Sequence, residues 1–306
     1  MVDRVLVTLD GVVRDADAPL LFADDIGVLR GDGVFETVLV RGGIAYALEF
    51  HLGRLRRSAQ ALDMPEPELG KWRVAVETAV RAWGDEREGM MRLVLTRGRD
   101  RELADTPDRV RSGDLAAAVP VPTAFVLVVP VPERAAKART EGVSVMTLAR
   151  GISIDLAQAA PWQLLGAKTL SYATNMAALR FAARMGVDDV IFTSTENRVL
   201  EGPRSTVVIA RDKQLITPPA KHGVLPGVTQ RALFAEAGKA GWECRYDSLF
   251  TADLLTCDSI WLLSSISLAA RVNSLDGLRM SAPDNAEEII ELVGRGIERT
   301  GAIGDW

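Results

Sequence analysis

The run Gly166–Ala210 reads GAKTLSYATNMAALRFAARMGVDDVIFTSTENRVLEGPRSTVVIA, and the fold turns on how it is read. One lysine opens a predicted helix, and one glutamate sits in a Leu-Glu-Gly turn between two predicted strands. Lysine is scarce, occurring at Lys71, Lys137, Lys168, Lys213, Lys221 and Lys239, while arginine is abundant. Of these, Lys168 has the most apolar sequence setting, between Leu164-Leu165-Gly166-Ala167 and Leu170-Ser171-Tyr172. A partly desolvated amine favours its neutral, nucleophilic form, which Schiff-base chemistry requires.

Behind the lysine, Tyr172, Met176, Leu179 and Ala183 fall at helical spacing, and Gly186 follows as a stop signal. Val190-Ile191-Phe192 reads as a buried strand and Thr193 to Arg198 as a turn. Val199-Leu200-Glu201 and Thr206-Val207-Val208-Ile209 read as strands around Gly202-Pro203. Lys168 and Glu201 then stand at two ends of one unit, from which they could face a common pocket. Taken alone, the pair is better explained as a core-edge lysine with a snorkelling tail and a surface glutamate.

The chain has 306 residues, large for one core, so one large or two smaller domains are expected. Apolar content of 48% with 25% charged residues describes an ordinary soluble globular protein. A net charge of −5 argues against a general nucleic-acid or membrane-surface binder, so an anionic substrate needs local arginines. Cys244 and Cys257 form no CxxC, and His51 and His222 are far apart in sequence. That pattern speaks against a zinc site, a disulfide framework or a histidine-based nucleophile motif. MVDRVLVTLDG has no signal-peptide layout and no apolar run is long enough to span a bilayer, so a cytoplasmic location is expected.

In chain order, Val5–Leu9 and Gly11–Val13 flank an Asp10-Gly11 hairpin turn. Gly31-Asp32-Gly33 leads into a strand, Val34–Val40, and Arg41-Gly42-Gly43 turns the chain into a second, Ile44–Leu48. His51–Leu62 is read as a helix with Leu52, Leu55 and Ala59 on one face and Arg54, Arg56 and Arg57 on the other. Trp72–Trp83 is a further helix, and Met91–Leu95 and Phe125–Val131 are strands. The charged segment Asp100–Leu115 lacks apolar periodicity and reads as a mobile loop, a candidate lid. Pro132-Glu133-Arg134 begins the best linker candidate. Beyond it come a strand at Val143–Leu148, an irregular approach over Ile152–Trp162, and a hairpin around Arg211-Asp212-Lys213. A helix from Gly227 to about Ala240 and a strand at Asp258–Leu263 follow.

Four places could carry chemistry. Gly227-Val228-Thr229 at a helix start suits a phosphate, through N–H groups, dipole and hydroxyl, although such a threonine more often caps its helix. Ser264-Ser265 after a buried strand offers oxygen ligands, or simply a turn. Arg54 could pair with phosphate bidentately, against a solvated basic face as the plainer account. Arg92 and Arg97, on opposite sides of a strand, could bind a substrate carboxylate, with surface ion pairing as the alternative. Gly31-Asp32-Gly33 is no dinucleotide fingerprint, because it leads into a strand and lacks the third glycine. Each signal alone is weak; their order along one chain is not.

The series GDGVFET, HLGRLRRSA, AKTLSYATN, LEGPRST, LPGVTQRA and WLLSSIS-LAARVNSLDG resembles the class IV (fold type IV) pyridoxal-phosphate enzymes. That family includes branched-chain aminotransferases, D-amino-acid aminotransferases and aminodeoxychorismate lyases. The resemblance runs from about Leu9 to Gly277 in six ordered motifs. The wording of KTLSYATNMA, LEGPRSTVVIA and SLAARVNSLDG most resembles actinobacterial aminodeoxychorismate lyases.

The resemblance implies an α+β, D-amino-acid-aminotransferase-like homodimer with the cofactor in an interdomain cleft. A small N-terminal α/β domain over residues 1–132 and a larger C-terminal domain over 133–306 carrying Lys168 are expected. Lys168 would hold pyridoxal 5'-phosphate covalently and, once displaced by substrate, shuttle the Cα proton. Glu201 would pair with the pyridine nitrogen; Arg54, Val228-Thr229 and Ser265 would hold the phosphate; Phe35 and Thr37 would line the substrate side. Many relatives have Asn where Thr206 stands, Gly-Thr or Thr-Thr near Ser264-Ser265, and often Tyr at the Phe35 position. The implied activity is conversion of 4-amino-4-deoxychorismate to 4-aminobenzoate and pyruvate in folate synthesis. The alternative is transamination of branched-chain or D-amino acids with 2-oxoglutarate.

Overall fold

The computed structural model describes residues 3–100 and 121–301, so residues 101–115 of the expected lid lie outside the described residues. The chain divides into two compact units. The first comprises residues 1–45, 49–130 and 167–172; the second comprises 46–48, 131–166 and 173–306. Lys168 therefore belongs with the first unit, not with the part of the chain after residue 132.

The first unit is built on an antiparallel sheet. Its strands are β1 (Val5–Thr8), β2 (Val13–Arg14), β3 (Gly33–Arg41), β4 (Ile44–Ala45), β5 (Gly89–Thr96) and β6 (Ala124–Pro130), in the order β2-β1-β6-β5-β3-β4. The predicted Ile44–Leu48 strand stops at Ala45 because Ala47 takes φ 55°, a left-handed turn that ends the ladder. A short helix α1 (Ile26–Arg30) precedes β3, then α2 (Leu48–Ala61) and α3 (Leu69–Trp83) follow. Trp72, Ala75, Val76, Ala79 and Trp83 make one helical stripe, which α3 packs on β1 and β6. Alternate residues of β3, Val34, Glu36, Val38 and Val40, are fully buried, while Phe35 and Thr37 on the opposite face are half-buried.

The second unit holds a mixed sheet. After α4 (Glu133–Glu141) come β7 (Val143–Ala149), a single turn α5 (Leu156–Ala159), α6 (Ala173–Arg184) and β8 (Asp189–Thr193). Next follow β9 (Thr206–Arg211), β10 (Gln214–Thr217), α7 (Val228–Lys239), β11 (Glu243–Tyr246) and α8 (Asp253–Thr256). The chain closes with β12 (Ser259–Ser264), β13 (Leu268–Leu275), β14 (Leu278–Arg279) and α9 (Ala286–Gly301). Strand order among the described residues is β11-β10-β9-β12-β13-β7-β8, with β14 on β13. The run Val207–Ala210 is apolar throughout because both faces are covered. Val207 and Ile209 enter one core with Ile260 and Leu262; Val208 and Ala210 enter the other with Trp261, Leu263 and residues of α7 and α9.

Three expectations change in this part of the chain. The linker candidate at Pro132 is a helix start, with Pro132 as the N-cap of α4. Val199–Glu201 forms no full strand, although the isolated bridge Thr193↔Val199 and the hydrogen bonds of Phe192 with Leu200 and Glu201 tie it to β8. Lys168 opens no helix. Its backbone is extended against β3, and α6 begins only at Ala173. Helix α9 lies beyond the motifs that the sequence reading used, yet Ile289, Leu292, Val293 and Ile297 seat it against α7.

Gly296 makes that seat close: a Cβ there would lie 2.6 Å from the Ala232 carbonyl oxygen, whereas one at Gly294 meets nothing within 4 Å. Gly296→Val is expected to destabilise the protein by about 2–3 kcal/mol, as overpacking against backbone does. Gly294→Ala is expected to stabilise it by up to about 1 kcal/mol through helix propensity. Urea unfolding of both variants checks the contrast.

Candidate active site

In the first unit the decisive element is the segment Ala167–Tyr172, which runs beside the start of β3. Phe35 N–H donates to the Lys168 carbonyl (3.1 Å), Leu170 N–H to the Gly33 carbonyl (2.8 Å), and Val34 and Thr169 form an antiparallel bridge. Gly31 and Gly33 permit this approach. A Cβ on Gly33 would lie 2.6 Å from the Leu95 carbonyl oxygen and 2.7 Å from Leu170 Cδ1; one on Gly31, whose φ is +71°, would lie 2.7 Å from Ser171 Oγ. The glycines of the GDG motif serve a lysine segment, not a dinucleotide.

Lys168 itself is half-buried, and its main-chain N–H donates to Ser58 Oγ on α2 (3.0 Å). Lys168 Nζ stands 4.5 Å from the Phe35 ring centroid and 6.0 Å from that of Tyr172. The two rings meet edge to face at 5.5 Å, an apolar corner around the amine.

Beneath Phe35, on the other face of β3, lies a buried charge network. Glu36 is 0% exposed and takes Arg54 bidentately, Nε to Oε1 and Nη2 to Oε2, both at 2.7 Å. His51 Nδ1 lies 2.7 Å from the same Oε2. Burial alone would raise the Glu36 carboxyl, but the charge and hydrogen bonds of Arg54, with those of His51, hold it well below the usual carboxylate range. Burial pushes the His51 imidazole below its ordinary value, outweighing the Glu36 carboxylate, and the charges of Arg54 and Lys168 push the same way. His51 is therefore neutral at pH 7 and donates Nδ1–H to Glu36. Arg54 is not on a solvated basic face: it is 6% exposed, while Arg56 and Arg57 are exposed.

The other predicted residues of this unit separate. Phe35 and Thr37 share a half-buried face of β3, and Arg92 stands exposed in register opposite Thr37, on the same face. Arg97 does not join them. Its guanidinium donates to Asp32 Oδ2 (2.7 Å) and to the carbonyls of Leu62 and Asp63, which makes it a clamp between the start of β3 and the end of α2.

In the second unit, Glu201 lies in the turn between β8 and β9. Phe192 N–H donates to its carbonyl (2.9 Å), and Leu225 N–H donates to Oε2 (3.0 Å), which fixes the carboxylate. Asn175 Nδ2 donates to the Pro203 carbonyl (2.7 Å) and its Oδ1 accepts from Arg150 Nη1 (3.1 Å), so α6 steadies the same turn. Val228 and Thr229 begin α7, whose N-cap Gly227 supplies no side-chain cap. Thr229 does not cap the helix either: it is 2% exposed and its hydroxyl has no partner among the described residues. A Cβ on Gly227 would sit 2.2 Å from Thr206 Oγ1, so the turn stays open only to glycine. Buried Ser205 Oγ is likewise unpartnered. Free N–H groups, a helix dipole and an unsatisfied hydroxyl suit an anion such as phosphate. Ser265 is half-buried in the turn after β12, where Ser264 Oγ accepts from Ser267 N–H (3.0 Å).

Sequence reasoning missed Glu36, His51, Ser58, Tyr172 and Asn175. A signal existed for the first three. Glu36 has the strand parity of Val34, Val38 and Val40, and His51, Arg54 and Ser58 follow at helical spacing.

Comparison with known proteins adds to this geometry. The sequence profile of the amino-transferase class IV family matches residues 33–275. A protein of Mycobacterium tuberculosis named as a bifunctional aminodeoxychorismate lyase / D-amino acid transaminase is 49% identical over 298 residues, covering 94% of this chain and 97% of its own. The structure of a hypothetical aminotransferase from Mycobacterium tuberculosis in PLP-bound form matches with TM-score 0.88 at 49% identity, covering 96% of this chain and 98% of that one. A fold IV transaminase from Curtobacterium pusillum matches with TM-score 0.87 at 37% identity, over 98% of this chain and 99% of that one. The chain thus belongs to the class IV aminotransferase family, with the α+β architecture of fold type IV and a dependence on pyridoxal phosphate.

Proposed function

We propose that this protein converts 4-amino-4-deoxychorismate to 4-aminobenzoate, a folate precursor, and pyruvate. The observation that carries the reading is the 49% identity, across 97% of its length, to a relative named for that lyase activity. The same name includes D-amino acid transaminase, which supports transamination as the second reading. Phe35 brings a ring without a hydroxyl to the substrate side, which favours the lyase as the main activity.

Pyridoxal phosphate, when bound, supplies an aldehyde that condenses with amines and a ring that withdraws electrons from the attached carbon. Lys168 would hold it through Nζ, and the same amine, once free, would remove the proton from the amine-bearing carbon of the substrate. The substrate then loses its enolpyruvyl group by cleavage of the ether C–O bond. The carbocycle becomes aromatic, and the enol takes a proton on its methylene carbon to give pyruvate, so no further reactant is consumed. Glu201, oriented by Leu225 N–H, would pair with the pyridine nitrogen and keep a proton there. Arg54, the start of α7 at Val228-Thr229, and Ser265 would hold the phosphate. Phe35, Thr37 and Arg92 line the substrate side, Arg92 as a carboxylate ligand, while Arg97 keeps to its clamp. Met176 and Phe181 on α6 and Met185 just after it stand exposed, which supports a homodimer in which a second copy covers them.

Lys168→Ala is expected to lower turnover at least about 100-fold, the scale of a general base, and to abolish covalent capture of the cofactor after borohydride reduction. A split assay separates the two activities. One arm follows 4-aminobenzoate and pyruvate from aminodeoxychorismate; the other follows glutamate from D-alanine or L-leucine with 2-oxoglutarate. Rapid 4-aminobenzoate release with slower glutamate is the expected result, and glutamate alone would replace the lyase with a transaminase.

Thr229→Val removes an unsatisfied hydroxyl without changing volume. The cofactor-free variant is expected to match the parent protein in stability or exceed it by up to about 1 kcal/mol. Its affinity for pyridoxal phosphate is expected to fall roughly fivefold, the worth of one hydrogen bond. Thermal melting with and without cofactor reads both effects.

A further inference from the structure

We propose that Glu36 is the positioning residue for Arg54: its buried carboxylate, braced by His51, fixes the guanidinium plane in which the arginine meets the cofactor phosphate. The inference rests on the reading of Arg54 as a phosphate ligand.

The geometry is over-determined in a way that a fold-stabilising ion pair does not need. A guanidinium presents its donors as a rigid planar fork. Glu36 takes one edge of that fork with two bonds of 2.7 Å, which leaves the plane no rotation. The Glu36 main chain is fixed in the sheet, in register with Leu93 between the pairs Phe35–Val94 and Thr37–Arg92, and its side chain is fully buried. Its Oε2 is also held by His51 Nδ1, three residues before Arg54 on the same helix. Carboxylate, imidazole and guanidinium are therefore locked by two elements.

Burying such charges is a poor route to stability, since apolar side chains of similar volume commonly do as well or better. A requirement for a charged arginine at one fixed orientation explains the arrangement more directly. Neutral His51 serves that requirement: it adds a hydrogen bond to Glu36 without adding a second positive charge beside Arg54. The same helix carries Ser58 one turn on, where it receives the Lys168 N–H, so α2 sets both the arginine and the lysine backbone.

The test compares binding of pyridoxal 5'-phosphate and pyridoxal, which lacks the phosphate, to the cofactor-free full-length protein. The readout is the ratio of the two dissociation constants, measured by tryptophan fluorescence, and the 31P resonance of bound cofactor. Arg54→Lys is expected to reduce the preference for the phosphorylated form at least about 10-fold, the scale of a charge-assisted hydrogen bond. Glu36→Gln should reduce it similarly and shift the 31P resonance, while pyridoxal binding stays within about 3-fold of the parent, the scale of a minor hydrogen-bond change. The double variant Arg54→Lys/Glu36→Gln should lose no more than Arg54→Lys alone, as residues acting in series do. Glu36→Gln that weakens both ligands equally, or leaves the preference unchanged, overturns the positioning role while Arg54 stands. An unchanged preference in Arg54→Lys overturns the phosphate reading itself. If Glu36→Gln is too unstable to purify, His51→Leu carries the test. Loss of the brace should lower the preference for the phosphate form, and equal loss for both ligands overturns the proposal.

Discussion

The main chain of residues 167–172 lies hydrogen-bonded along the first residues of β3, and the position of Lys168 follows from that contact. The side chain of a lysine has many rotamers, so a defined amine needs a defined Cα and walls that limit the stem. Here the Cα is set by the bridge and by Ser58, and the walls are Phe35 and Tyr172. The contact is possible only because Gly31 and Gly33 have no Cβ, since any side chain there would collide with Ser171 or with Leu95 and Leu170. Two glycines and one backbone ladder thus stand behind the placement of Lys168.

The two groups of candidate ligands have opposite polar accounts. Around β3 and α2 the network of Glu36, Arg54 and His51 is internally satisfied, with the carboxylate accepting from both partners. Desolvating such charges costs several kcal/mol per ion, and only short, well-aligned hydrogen bonds offset it. A satisfied network of this kind is rigid. At the start of α7 the reverse holds: Thr229 and Ser205 bury hydroxyls with no partner among the described residues, and Gly227 leaves the helix end without a side-chain cap. Unsatisfied buried groups are unfavourable in isolation and become favourable when an anion completes them.

Legibility in the sequence depended on whether a residue's role was local. The strands β1, β3, β5, β6, β8, β9 and β12 and the helices α2, α3, α6 and α7 follow from period and turn chemistry, because each carries its own apolar face. Ile44–Leu48 misled because Ala47 turns left-handed, a backbone state that the residue type does not announce. Arg54 was grouped with Arg56 and Arg57 by proximity in sequence, although the helix turns it away from them toward Glu36. Arg97 looked like a substrate ligand for the same reason that Arg92 did, and only Asp32 and the end of α2 show it to be committed elsewhere.

By itself, the sequence determined the family, through six ordered motifs, and singled out Lys168, Glu201 and the helix start at Val228-Thr229 as candidates. Those features are local in kind: residue type, spacing and glycine placement are written in the chain. Only the tertiary structure decided that the lysine segment belongs with the N-terminal sheet, that Arg54 is buried on Glu36, and that Thr229 is left unsatisfied. Each of these depends on which groups are brought together from distant positions. Hydrogen bonding and desolvation act on proximity in space, so partners at Glu36 and Arg54, or Phe35 and Lys168, carry no mark of one another along the chain.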